Sequence, residues 1–233
     1  MKILFATSEI APWVKTGGLG DVAGALPAAL RALGHDVRVL VPAYPALLQA
    51  FPGAEEIARP HWLGGLLPTP GLRQATAPDG TPLLLLDYRP YYERPGNPYL
   101  GPEGRDWLDN HLRFGLLSRV AAWLGSEASS LDWVPEVIHC NDWQTALAPA
   151  YLAYGAERPA RSLVTVHNLA FQGLFDHAAL FELGLPDAAW SMHGVEFYGH
   201  LSFLKAGLQH ADAINTVSPT YAREIQTDAE GMG

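Results

Sequence analysis

The chain has 233 residues, 48% of them apolar, a net charge of −9 and a single cysteine, Cys140. That apolar content fits a folded chain long enough to bury a sizeable core, not a disordered one. The acidic balance, with only three lysines, argues against a nucleic-acid surface, and one cysteine leaves no internal disulfide partner.

Short apolar runs alternate with helical patterns. Strands are expected at Ile3–Thr7, Val37–Val41, Leu83–Asp87, Val137–Cys140, Leu163–Val166 and Ala213–Val217. Helices are expected at Leu19–Leu33, Trp107–Leu124, Trp143–Tyr154, Leu201–His210 and Thr220–Gln226. Leu19, Val22, Ala23, Leu26, Leu30 and Leu33 fall on one face of the first of these, with Pro27 expected to kink it near Ala23. Phe51 to Pro82, rich in Gly and Pro, reads as loops with a small hairpin. Tyr88 to Gly104 holds four tyrosines, four prolines and three glycines, and reads as an exposed aromatic loop. Ser218-Pro219 opens the last helix with an N-cap and an N1 proline.

Strands that are apolar throughout and separated by helices predict an α/β fold of Rossmann-like type: a mainly parallel sheet with helices on both faces. In such sheets ligands bind beyond the carboxyl ends of the strands. That rule selects Ser8-Glu9, Asn141-Asp142, His167-Asn168 and Ser218.

Lys15-Thr16-Gly17-Gly18-Leu19-Gly20-Asp21-Val22 joins the first strand to the first helix. A glycine pair at a helix start leaves backbone N–H groups for an anion and allows close approach, and Lys15 adds a positive charge. Gly18, Gly20 and Ala23 also match the spacing of a dinucleotide fingerprint, but about ten residues separate them from the strand. No acidic residue closes the second strand to hold a ribose. The Walker pattern fails as well, because Val14, not Gly, precedes Lys15. Asp21 in the first helical turn is favoured by the helix dipole alone.

In His139-Cys140-Asn141-Asp142-Trp143, either Asn141 or Asp142 is placed to cap the next helix, and Asp142 is also placed to accept hydrogen bonds from a sugar. The His-Cys spacing fits no zinc pattern. Val166-His167-Asn168 repeats the logic one strand later, with polar residues at the same sheet end. A G-x-S-x-G elbow and an H-E-x-x-H helix are both missing.

Together these segments resemble the bacterial glycogen synthase and plant starch synthase family. The matching pieces are Ser8-Glu-Ile-Ala-Pro12, Lys15 to Val22, Arg94-Pro-Gly-Asn-Pro-Tyr99, His139 to Trp143 and Thr165-Val-His-Asn-Leu-Ala-Phe-Gln-Gly173. Phe197 to Gly207 and Thr216-Val-Ser-Pro-Thr-Tyr-Ala-Arg-Glu-Ile225 extend the match along essentially the whole chain. His200 departs from the pattern, where the family more often has Gln or Lys.

The resemblance implies a retaining glucosyltransferase of GT-B fold, with residues 1–233 as its N-terminal, acceptor-side domain and the C-terminal nucleotide-sugar domain absent from the chain. It implies transfer of glucose from ADP-glucose to the non-reducing 4-hydroxyl of an α-1,4-glucan, without a metal or other cofactor; a cytoplasmic location is expected separately, from the missing signal-peptide pattern and membrane-length apolar run. Catalytic roles fall on Asp142 and His167; donor contacts on Lys15, Gly17, Gly18, Asp21 and Asn168; and cleft or acceptor contacts on Glu9, Tyr92 and Tyr99. The chain alone is then expected to be an inactive half. A non-catalytic glucan-binding module and a nicotinamide-dependent oxidoreductase are the alternatives; no nucleic-acid, membrane or disulfide partner is expected.

Overall fold

A computed structural model of the chain describes residues 1–155 and 159–231. In chain order come β1 (Lys2–Ala6), α1 (Gly18–Ala32), β2 (Asp36–Pro42), α2 (Pro45–Ala50), β3 (Glu55–Ala58), β4 (Gly71–Thr76), β5 (Pro82–Asp87) and the short α3 (Arg89–Tyr92). They are followed by α4 (Asn110–Leu124), β6 (Val137–Asn141), α5 (Ala148–Gly155) and β7 (Arg161–Val166). The last part holds β8 (Leu174–Phe175), α6 (Ala178–Glu182), β9 (Glu196–Phe197), β10 (His200–Ser202), α7 (Phe203–His210), β11 (Ala213–Thr216) and α8 (Pro219–Glu224).

Eight strands make one sheet in the order β11-β7-β6-β1-β2-β5-β4-β3. The six from β11 to β5 are parallel, and β4 and β3 add antiparallel at one edge. Strands such as Leu83–Leu86 and Val39–Val41 are fully buried, because a parallel sheet is covered on both faces. From β1 the chain steps one way, through α1 to β2; from β6 it steps the other way, through α5 to β7. Right-handed crossovers therefore put α1 on one face and α4, α5 and α7 on the other. The packing of α4 on α5 and of α5 on α7 agrees. The direction reverses between β1 and β6, where a crevice opens beyond the strand ends.

The helix α1 runs through Pro27 to Ala32 as one element. Two elements depart from the sequence reading. The helix expected from Trp143 begins only at Ala148; Trp143 to Leu147 form turns that are buried throughout. The short helix α2 (Pro45–Ala50), just before the Gly/Pro-rich stretch, was not expected, while the stretch itself holds the β3–β4 pair as its small hairpin. A second, antiparallel sheet, β8-β10-β9, carries no sequence signal, since its strands span only two or three residues.

Candidate active site

Register brings the polar strand ends level. Ala6 of β1 pairs with Cys140 of β6, and Asn141 pairs with Thr165 of β7. The residues that follow, Thr7 to Glu9, Asn141-Asp142 and His167-Asn168, therefore meet at the point where the winding reverses. Asn141 stitches them: its amide nitrogen donates to the Ala6 carbonyl (3.1 Å) and the His139 carbonyl (3.2 Å), so its Oδ1 faces His167 Nε2 at 3.0 Å. An amide oxygen can only accept, so His167 Nε2 carries the proton and a neutral ring keeps Nδ1 as a free acceptor. Burial holds the His167 imidazole below its ordinary range, against the opposing pull of Glu9.

Asp142 is not a helix cap. Its φ of +56° is uncommon for a residue with a side chain, and it turns the carboxylate back across the crevice. There Oδ1 accepts from the amides of His167 (2.7 Å) and Asn168 (3.2 Å). Burial lifts its carboxyl from 3.8 to about 6, opposed by those two amides and assisted by Glu9. Its Oδ2 has no hydrogen-bond partner among the described residues.

Glu9 is the hub. Only 2% exposed, its carboxylate accepts from the Thr16 amide (2.5 Å), the Thr16 hydroxyl (2.6 Å) and the Gly17 amide (3.4 Å). The Tyr99 hydroxyl also donates to it. One buried carboxylate thus ties the Lys15–Gly18 loop to the aromatic segment, and it already occupies the Gly17 amide that an external anion was expected to meet. The next amides of α1, from Gly18 onward, have no intrahelical acceptor. Gly20 allows the approach of Glu9 to Lys15: a Cβ there would lie 3.1 Å from the Lys15 stem and 3.3 Å from Glu9 Oε2. The Lys15 ammonium pairs with Asp21 at 2.7 Å, both about half exposed.

The two tyrosines chosen from the aromatic loop part company. Tyr99 reaches the crevice, held by Glu9 and by Ser8 Oγ at 2.9 Å. Tyr92, 2% exposed, points into the core and donates to the Arg113 carbonyl at 2.8 Å; placed there, it has no face for a sugar. The loop is fastened from below. Buried Arg113 donates to the Tyr91 carbonyl and to Asn110 Oδ1, Asn110 donates to the Tyr99 carbonyl, and Arg94 grips Asp109 with two bonds.

Two buried supports were noted in the sequence but given no part in the site. The first is Asn141, hidden beside the more conspicuous Asp142. The second is His139, whose Nε2 meets Thr165 Oγ1 at 2.6 Å while that hydroxyl donates to Asn215 Oδ1 at 2.6 Å. Burial, with His167 adding to it, lowers the His139 imidazole to about 4, so it stays neutral as a prop. Cys140, fully buried, has its thiol pushed up to about 12 and is no nucleophile.

A family model described as the starch synthase catalytic domain matches residues 2–233. The chain belongs to that family. A glycogen synthase of Dechloromonas aromatica (strain RCB) is 63% identical across the whole chain, which spans 47% of that protein. Another, from Aromatoleum aromaticum, is 55% identical with the same coverage. Among solved structures, the catalytic domain of starch synthase IV from Arabidopsis thaliana, bound to ADP and acarbose, superposes with a TM-score of 0.77 at 26% identity. It covers 99% of this chain and 47% of its own. The match agrees with the mainly parallel sheet and with the half-GT-B architecture that the family implies. The chain spans about half the length of the curated relatives it matches. No helix among the described residues is long and apolar enough to cross a membrane.

Proposed function

We infer that this chain forms the N-terminal, acceptor-side domain of a cytoplasmic glycogen synthase that moves glucose from ADP-glucose to the non-reducing 4-hydroxyl of an α-1,4-glucan with retention. The C-terminal nucleotide-sugar domain corresponds to the length of the relatives that this chain does not match. The observation that carries the reading is the meeting of Glu9, Asp142 and His167 at the β1–β6 reversal, with Lys15 in the loop that Glu9 holds, in a chain of this family.

The chemistry follows from what each group has free. Departure of a nucleoside diphosphate builds negative charge on its oxygens, which the Lys15 ammonium and the first amides of α1 are suited to meet. The ion pair with Asp21 is exposed and weak, so a dianion displaces it readily. Asp142 Oδ2 and His167 Nδ1 are unpartnered acceptors fixed by backbone and by Asn141; they are suited to orient glucose hydroxyls while the anomeric carbon gains positive character. Gly17, Gly18 and Asn168 line the donor side, and Tyr99 offers an aromatic edge toward the glucan.

The test is incubation with glycogen and radiolabelled ADP-glucose. Protein extended to the full length of its relatives should incorporate label into glucan that an α-1,4-specific amylase releases, with UDP-glucose a much poorer donor. Equal turnover by residues 1–233 alone, or none by the extended protein with either donor, would overturn the reading.

A further inference from the structure

A second site lies toward the opposite end of the sheet. Helices in parallel crossovers run against their strands, so the C-terminal halves of α4 and α5 approach the amino ends of β6 and β7; the Gly125 carbonyl after α4 accepts the Ala160 amide just before β7. Between these helices and the 59–63 segment is a cavity of about 410 Å³, within the range of small-molecule sites. Arg119, Arg59, His61, Trp62, Ser126 and Tyr151 are among its walls. Arg119 and Tyr151 also wall an adjoining cavity of about 410 Å³ that reaches Phe181. Among the described residues, no Asp or Glu lines either one.

Arg119 is the anomaly. Its guanidinium lies over the Tyr151 ring, 4.8 Å from the centroid. Its Nε is buried without a hydrogen-bond partner, and the whole side chain has neither hydrogen bond nor ion pair to any described residue. Burial lowers its pKa, only partly offset by Tyr151. A half-buried guanidinium without a counter-ion among the described residues asks for an oxyanion, which its planar fork fits in two-pronged fashion. Arg59 spends Nε and Nη2 on Glu56, at 2.6 and 2.7 Å, leaving Nη1 at the rim. Trp62 stands 98% exposed at the mouth. Its segment is fixed, not trailing: the Leu66 amide donates to the Glu182 carbonyl at 2.7 Å. Gly65, at φ +57°, packs so closely on α6 that a Cβ would lie 2.3 Å from that same oxygen.

We propose that this cavity binds a small phosphate monoester, its phosphate against the Arg119 guanidinium and its organic part, of sugar size, against the Trp62 ring. The site is independent of the reading given above for the crevice. It is tested by calorimetric titration of the full chain with inorganic phosphate, mannose 6-phosphate and free mannose; mannose keeps a glucose-specific crevice out of the measurement. Mannose 6-phosphate should bind and free mannose should not. Arg119→Met, which keeps the stem over Tyr151, should weaken the phosphate ester at least about tenfold, as loss of a charge-assisted pair implies. Trp62→Ala, a change at an exposed ring, should weaken mannose 6-phosphate several-fold and leave inorganic phosphate unchanged. Amide shifts on mannose 6-phosphate addition should centre on Ser126 and Gly155 in the unaltered chain, which keeps the test decisive if the Arg119 variant fails to fold. Equal binding of mannose and its phosphate, unchanged affinity in Arg119→Met, shifts confined to Gly17 and Gly18, or no binding at millimolar ligand would each overturn it.

Discussion

Asp142 holds its carboxylate in a nearly buried position at positive φ, and both features work against stability. Its carboxyl rises from 3.8 to about 6 in the fold, so ionised Asp142 is less favourable folded than unfolded. That penalty is absent below pH 4, grows between pH 4 and 6, and reaches about 3 kcal/mol above that window. Asp142→Asn keeps the acceptor Oδ1 for the His167 and Asn168 amides. It should therefore be more stable than its parent at pH 8, by up to about 3 kcal/mol, with the gap closing toward pH 4. His139 slopes the other way: its depressed value gives stability that is complete above pH 6.5 and fades as pH falls toward 4. The informative quantity in urea unfolding is thus the difference between variant and parent, and a gap that ignores pH would contradict the assignment. Glu9→Ala strips one acceptor from three loop groups and the Tyr99 hydroxyl. A loss of about 2–4 kcal/mol is expected, with hydrogen exchange at Thr16 and Tyr99 accelerating together. Loosening at only one of the two would break the link drawn between them.

At the scale of elements, packing explains both what the sequence reveals and what it hides. Five of the six parallel strands were legible because burial leaves a largely apolar run, whereas the edge strand β11 is mostly exposed; all six lie within two residues of the observed bounds. Trp143, Ala146 and Leu147 carry helical spacing yet form turns, because positive φ at Asp142 and the Asn141–Thr145 bonds delay the helix to Ala148. Nothing in residue type signals that. Tyr92 and Tyr99 were equivalent on composition; only the Arg113 carbonyl and Glu9 decide which turns inward. The contact between α7 and the turns after Asp142 offers a direct test. A Cβ on Gly207 would lie 2.7 Å from the Ala146 carbonyl oxygen, a neighbour that cannot give way without moving the turn. Gly207→Ala should lower unfolding free energy by about 1–3 kcal/mol, seen as a lower urea midpoint at unchanged slope. An unaltered midpoint would mean that this approach is not tight.

Across the whole molecule, the reversal of winding between β1 and β6 turns a stable sheet into a place for chemistry. Parallel strands supply a buried platform, and the loops beyond their ends supply charge and unpartnered acceptors at one spot. The carboxyl-end rule located Glu9, Asp142 and His167 from sequence, since it depends only on strand direction. Their coupling through Glu9 and Asn141 was not legible, because it joins residues up to 135 positions apart, as Asn141 and Ala6 are. Lys15 carries the proposal furthest, as the cation proposed to meet a departing diphosphate. The decisive measurement is donor kinetics of Lys15→Ala in protein extended to the full length of its relatives. Losing a charge-assisted contact worth about 2–3 kcal/mol predicts a 30- to 150-fold fall (about that range) in kcat/KM for ADP-glucose with the glucan KM unchanged. A variant within twofold of its parent would contradict the placement of the donor at this crevice.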